Sequence, residues 1–388
     1  MDLVYGSALW YATTKVNCHH LAERLSADHT VLFVESVGAR TPRLHEWRRL
    51  LPRLLRAFFP IRRVAPRIWL FSPLPLPSYR REGLMRNSKW VGWQVRLVLR
   101  LWRRNVDVAW IFHPMGLGTA RSVRARGVIY YCTDDQSSNP GVDAQQIRLM
   151  ERELVHEADQ TITTAKPLAD RLSPDAKHVT VVPNVADTEL FARDTKGANH
   201  PALTAIERLP RPRLGYLGNL ASYKIDLELV YELARRRPDW TFVLAGPRNM
   251  GDTKGTVADT GAPPNVAFVG PVPFEFAPAA MDRFDVCLLP SAKHEVMSYS
   301  FPLKFFEYLM RGKPIVSRRL PTLEPYGDWF LPADDAREFE HAIAHALASD
   351  SEEARASRRL FASRTGWSEK MESLRRIRSV AAGSEAGA

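Results

Sequence analysis

At 388 residues, with 45% hydrophobic and 25% charged side chains, the chain has the make-up of a folded globular protein too long for one ordinary core. Its three cysteines, Cys18, Cys132 and Cys287, lack paired spacing, which argues against a disulfide framework or a zinc site and fits a reducing cytoplasm. The net charge of +11 is concentrated: from Arg40 to Arg104 there are 17 Lys and Arg against Glu46 and Glu82, so this window carries +15 and the rest sums to −4.

Taken in chain order, Met1 to Lys15 has no basic stretch leading into an apolar core, so no secretory signal is expected. No apolar run approaches the roughly 20 residues of a membrane span. Apolar runs that read as strands follow: 3–8, 30–35, 68–72, 106–112, 128–133, 160–164 and 179–183 in the first half, then 213–217, 241–245, 266–270, 286–290 and 314–317 in the second. Most are continuous rather than alternating, as in parallel strands covered on both faces. Helical spacing lies between them, as at 227–236 and 303–311. Alternating strand and helix patterns predict doubly wound α/β sheets, and two groups of strands predict two such domains. The polar segment from Asn184 to Pro212, with Pro201 and Pro210, reads as the join. Domains are expected over 1–195 and 205–365, with 366–388 as a terminal helix and tail.

The basic window carries two stripes at helical spacing. Leu44, Trp47, Leu51, Leu54 and Phe58 lie among Arg43, Arg48, Arg49, Arg53 and Arg56; Trp90, Trp93, Leu97 and Leu101 lie beside Lys89, Arg96, Arg100 and Arg103. Such stripes suit a surface helix on anionic lipid. They also suit ordinary core faces with solvated arginines. Nucleic-acid binding uses Arg and Trp too, but no such motif is present.

Several polar residues stand where strands are expected to end. Asn17 to Leu25 opens the first helix with His19 and His20, either of which is a candidate for a ligand cleft or equally a helix-surface histidine, and His113, after the strand at 106–112, is a further cleft candidate. Asp134 and Asp135 follow the strand at 128–133. A carboxylate there can serve as a base, or can cap the next turn. Gly218-Asn219 closes the strand at 213–217, where a glycine lets backbone approach a bound phosphate or makes a tight turn. Lys304 and Glu307, three apart on one helix face, suit a diphosphate and a ribose diol, or a plain salt bridge.

Over most of its length the chain resembles GT-B glycosyltransferases, through Gly215-Tyr-Leu-Gly218, Pro238-Asp-Trp240, Phe242 to Pro247, Asn265-Val266, Phe268-Val-Gly270, Phe284-Asp285, Leu288-Leu-Pro290 and, most specifically, Pro302-Leu-Lys304…Glu307-Tyr308…Gly312-Lys-Pro-Ile-Val316. It is most similar to bacterial exopolysaccharide enzymes of the xanthan glucuronosyltransferase type. The resemblance implies two Rossmann-like domains facing a cleft and a nucleotide diphosphate sugar, UDP-linked, as donor. It implies that Lys304 contacts the diphosphate and Glu307 the ribose, with Gly218, Asn219, Tyr299 and Ser300 around them. It also implies a catalytic Asp in the acceptor-side domain, here Asp134 or Asp135, and a helix beginning at Gly366-Trp-Ser368 that crosses back to the first domain. Many retaining relatives carry a second glutamate eight residues before the ribose-binding one; Tyr299 stands there, which favours inversion. No cofactor or metal is expected. The expected acceptor is a lipid-linked saccharide at the cytoplasmic membrane face, met through the anionic membrane surface that the 40–104 window would bind. A sugar-nucleotide epimerase of the same fold and a non-catalytic nucleotide-sugar or membrane-binding module are the alternatives. A dinucleotide oxidoreductase is disfavoured, since Tyr5-Gly-Ser-Ala-Leu replaces a GxGxxG.

Overall fold

A computed structural model describes residues 1–11, 15–39, 60–76, 82–248 and 261–383. The chain divides into two units: Met1–Pro183 with the chain from Met371 onward, and Asn184–Lys370.

In the first unit, β1 (Asp2–Tyr5), β2 (Val31–Val34), β3 (Ile61–Ala65), β4 (Ile68–Phe71), β5 (Val108–Ile111), β6 (Gly127–Cys132), β7 (Gln160–Thr163) and β8 (Val179–Val181) form one sheet in the order β3-β4-β2-β1-β5-β6-β7-β8. Every pairing is parallel except that of β3 with β4. The central strands β1, β2 and β5 are buried throughout, as their unbroken apolar sequences require. Strand β3 was not among the expected runs. It is a half-exposed antiparallel edge in which Arg62 and Arg63 interrupt the apolar pattern.

Helix α1 (Asn17–Leu25) follows β1, and α2 (Glu82–Leu101) precedes β5. Helix α2 packs backbone to backbone on α3 (Leu117–Val123): a Cβ on Gly92 would lie 2.1 Å from the Gly118 carbonyl oxygen, and one on Gly118 would lie 2.1 Å from the Ser88 oxygen. Ser88 Oγ stitches the contact, donating to Met115 O and accepting from Gly118 N, both at 2.8 Å. The core face of α2 is therefore Leu84, Ser88, Val91, Gly92, Val95 and Leu99. The tryptophan stripe points elsewhere: Trp93 is 52% exposed, Leu97 42% and Leu101 75%, with Trp90 stacked on Trp93 at 5.0 Å. This corrects the core-face reading of that stripe. The stripe from Leu44 to Phe58 lies outside the described residues. Helix α4 (Ala144–Glu157) lies between β6 and β7.

The second unit has β9 (Arg213–Leu217), β10 (Thr241–Ala245), β11 (Val266–Gly270), β12 (Val286–Leu289), β13 (Ile315–Ser317) and β14 (Leu331–Pro332), all parallel, in the order β11-β10-β9-β12-β13-β14. Strand β14 has only two residues, too short to read from sequence. Alternate side chains feed two cores. Leu217, Val243, Cys287, Leu289 and Ile315 face one; Leu214, Phe242, Leu244, Leu288 and Val316 face the other. Helix α5 (Leu227–Arg236) covers the second core, and α6 (Lys304–Met310) covers the first.

The final helix, α7 (Trp367–Ala381), ends in the first unit, where the Arg378 guanidinium makes two 2.7 Å bonds to the buried carboxylate of Asp2. Gly127 lets the end of this helix approach β6, since a Cβ there would sit 2.1 Å from Ala381 O.

Candidate functional site

In open parallel sheets, ligands bind outside the carboxyl ends of strands where the strand order reverses. In the second unit that point lies between β9 and β12. Helix α6 stands beside it because Phe305, Phe306, Tyr308 and Leu309 are all buried, each contributing on the order of 1.5–3 kcal/mol. The Tyr308 hydroxyl accepts a 3.0 Å hydrogen bond from Leu217 N, tying α6 to the last residue of β9. Residues 304 and 307 lie off that core face, and both are half-buried.

Lys304 reaches over the end of β9. A Cβ on Gly218 would lie 2.1 Å from Lys304 Cε and 2.7 Å from its Nζ, so the missing side chain is what admits the lysine. Gly246, at the end of β10 with φ +147°, allows the neighbouring approach: a Cβ there would lie 1.8 Å from Gly218 O. The surface salt bridge that an i, i+3 Lys–Glu pair suggests is not formed; neither Lys304 nor Glu307 has an ion-pair partner within 4 Å among the described residues. Burial lowers the lysine's pKa, with Lys224 adding to the effect and Glu307 opposing it. Burial raises the glutamate's pKa, with Asp187 adding and Lys304 opposing. A cation and a carboxylate are thus both held in a half-dry setting, each offsetting part of the other's burial without a direct ion pair.

Lys224 belongs with them and was not read from the sequence. Its Nζ donates to Ser300 Oγ at 3.3 Å, and its charge acts on Lys304. Only its place six residues past Gly218 could have signalled it. Ser300, buried, also binds Thr322 through its carbonyl at 3.0 Å. Asn219 Oδ1 accepts from Ala221 N at 3.2 Å and shapes the turn that leads to Lys224. Tyr299 ends the short helix Glu295–Tyr299 and is half-buried.

In the first unit the reversal lies between β1 and β5. His113 stands there, just past β5. Its Nδ1 accepts from Met115 N at 3.0 Å, and burial brings its pKa down to about 4, so the ring is neutral with its proton on Nε2. His19 is held at both ring nitrogens: Nδ1 accepts from Val16 N at 3.1 Å, Nε2 lies 2.9 Å from Leu9 O, and the ring stacks on Phe33. Burial lowers its pKa. His20 lies on the surface of α1, with Nδ1 3.4 Å from the Arg24 guanidinium.

The two aspartates after β6 differ. Asp135 is 1% exposed, and its oxygens accept from Ser137 N at 3.0 Å, Ser137 Oγ at 2.6 Å and Ser138 Oγ at 2.5 Å. Burial opposes its ionisation, but these bonds and Arg171 outweigh burial and hold its pKa low. Three donors hold this carboxylate as the cap of a turn, two on Oδ1 and one on Oδ2. Asp134 keeps a half-buried side chain at the same strand end. Beneath them, buried Glu151 accepts from Tyr130 Oη at 2.5 Å and from Arg171 at 2.6 Å. Among the described residues no group of three His, Cys, Asp or Glu side chains could hold a metal ion, and no helix is long and apolar enough to cross a membrane.

Residues 211–349 match the family model described as "Glycosyl transferases group 1". The described structure is similar over 97% of both chains to sucrose-phosphate synthase of Thermosynechococcus elongatus (TM-score 0.72, 15% identity). It is also similar to HepE of Anabaena, solved with UDP, over 98% of this chain and all of that one (TM-score 0.68, 14% identity). The fold is GT-B. A curated relative, TuaH of Bacillus subtilis, named as a teichuronic acid biosynthesis glycosyltransferase, is 28% identical over 217 residues. That alignment covers 53% of each protein, so the chain spans about half the length of this relative. The family match and the GT-B neighbours together support a glycosyltransferase enzyme.

Proposed function

We propose that the chain transfers a sugar from a UDP-linked donor, held by the second unit, to a lipid-linked saccharide in polysaccharide assembly, with inversion at the anomeric carbon. The observation that carries this reading is the half-buried pair Lys304 and Glu307, not joined in a salt bridge, beside Gly218. Lys304 and Lys224 meet the diphosphate, and the Glu307 carboxylate accepts hydrogen bonds from the ribose hydroxyls. HepE, of the same fold, was solved with UDP, which favours uracil as the base of the donor nucleotide. Asp134 takes the proton of the acceptor hydroxyl as its oxygen bonds to the anomeric carbon and the bond to the UDP oxygen breaks. The charge released on UDP falls on the two lysines, so the step needs no metal. His113, with a proton on Nε2, is a donor suited to a sugar hydroxyl. The xanthan-type relationship and a cytoplasmic place at the membrane's inner face belong to this same reading.

The acceptor's lipid is supported by the first unit's surface. Trp93, Leu97, Leu101 and Leu74 are exposed, with Lys89, Arg100, Arg103 and Arg104 exposed beside them in sequence. Each basic residue near an anionic bilayer contributes about 1 kcal/mol, so this helix face can hold the enzyme peripherally at the membrane where lipid-linked saccharides reside. The test is calorimetry with UDP on the wild type and Lys304→Ala. Affinity lost in the variant supports the site; equal affinity removes it.

A further inference from the structure

We propose that Arg318 is a positioning residue for the diphosphate seat, acting through the loop that carries Lys224; the inference rests on the donor reading above. Arg318 directly follows β13 and is 6% exposed. Its Nη1 donates to Asp226 Oδ2 at 3.0 Å and to Ser291 O at 2.6 Å, and its Nη2 donates to Asp334 O at 3.2 Å. Those three partners follow β9, β12 and β14, so one guanidinium gathers the loops at the ligand-binding ends of three strands. Its buried Nε–H has no partner among the described residues.

The bonds converge on the backbone around Lys224. Asp226 N donates to Pro290 O at 2.8 Å, and Ala292 N donates to Lys224 O at 3.1 Å. Ile225 and Ser291 form an isolated antiparallel bridge between the same two loops. Asp226 also caps α5, its Oδ1 accepting from Leu229 N at 3.1 Å. Arg318 therefore grips the loop from Gly218 to Asp226 at its far end and braces the Ser291 loop against it, across the point where strand order reverses. Lys224 leaves this braced backbone with its Nζ on Ser300. A buried arginine facing one carboxylate and two carbonyls is an expensive way to hold a helix cap, which Asp226 makes unaided. Holding a phosphate-binding lysine within a fraction of an ångström is a use that justifies the charge.

The experiment titrates UDP and uridine into the full chain as wild type, Arg318→Met, Lys224→Met and the double variant, with unfolding midpoints measured alongside. Arg318→Met is expected to weaken UDP about tenfold and to leave uridine within about twofold, because only the diphosphate meets Lys224. The double variant is expected to bind UDP no more weakly than Lys224→Met alone. A purely structural role lowers UDP and uridine together, or adds to the Lys224 effect, and either result overturns the inference, as does unchanged UDP affinity. Should Arg318→Met not fold, Arg318→Lys carries the same UDP-to-uridine comparison, and an unaltered ratio overturns it there. A wild-type chain that binds neither ligand brings down the donor reading, and this inference with it.

Discussion

Gly218→Ala separates a site built for a ligand from a turn that merely needs a small residue. The added methyl would sit 2.1 Å from Lys304 Cε and 2.7 Å from Nζ, distances no real contact tolerates. The Tyr216 hydroxyl, at 3.1 Å, is the next nearest neighbour. Both obstacles are ends of side chains, so the backbone can stay and the lysine must leave. Fold stability should change by no more than about 1 kcal/mol, since replacing Gly by Ala also lowers the entropy of the unfolded chain by roughly 0.4–1 kcal/mol. Ligand binding should lose one charge-assisted hydrogen bond, about 1.5–3 kcal/mol. At 1.4 kcal/mol per factor of ten, that is roughly a 10- to 150-fold rise in the Kd for UDP. Calorimetric titration of UDP, paired with thermal unfolding, reads both quantities. Wild-type affinity in a folded Gly218→Ala protein would refute the claim that Lys304 meets the diphosphate across this glycine.

Gly246→Ala meets backbone instead, 1.8 Å from Gly218 O at φ +147°, so it should cost on the order of 1–3 kcal/mol in unfolding free energy; an unchanged midpoint would contradict the close approach of β9 and β10. Glu307→Gln should raise stability at neutral pH while weakening UDP. The folded state holds this carboxyl above its ordinary pKa, so the wild type gains stability as pH falls through that raised value and loses it as pH rises; the variant should lack this dependence in pH-resolved unfolding. Asp134→Ala should lower turnover by about 10²–10⁴ with UDP affinity intact, whereas Asp135→Ala should mainly destabilise, by about 0.5–2 kcal/mol for the lost cap; steady-state kinetics beside thermal unfolding separates the two. Replacing Trp93, Leu97 and Leu101 together by Ser should reduce sedimentation with phosphatidylglycerol vesicles while sparing UDP binding; unchanged sedimentation would remove this face from the membrane account.

Strands β9, β10 and β11 could be read to the residue because continuous apolar runs bounded by Pro and Gly leave no competing register. Strand β3 could not, since an edge strand needs apolar partners on one side only and Arg62 and Arg63 hide the pattern. Helical spacing found the stripe of Trp90, Trp93, Leu97 and Leu101 but not its direction. Two apolar faces compete on α2, and Gly92 against Gly118 decides which one packs. The site was partly legible in the same way. The spacing of Lys304 and Glu307 left a plain salt bridge open and the family resemblance singled the pair out, whereas Lys224 lies in a loop whose course depends on the Ser291 turn and Arg318, more than sixty residues away. His19 and Asp135 were ambiguous because a capping side chain and a catalytic one can have the same residue type, and the sequence does not show the hydrogen bonds that each makes to its neighbours.

A crystal structure of the chain with UDP bears most directly on the central claim. The diphosphate should lie within hydrogen-bonding reach of Lys224 and Lys304 Nζ, past Gly218, with the ribose hydroxyls on Glu307. UDP bound with its diphosphate away from both lysines would contradict it.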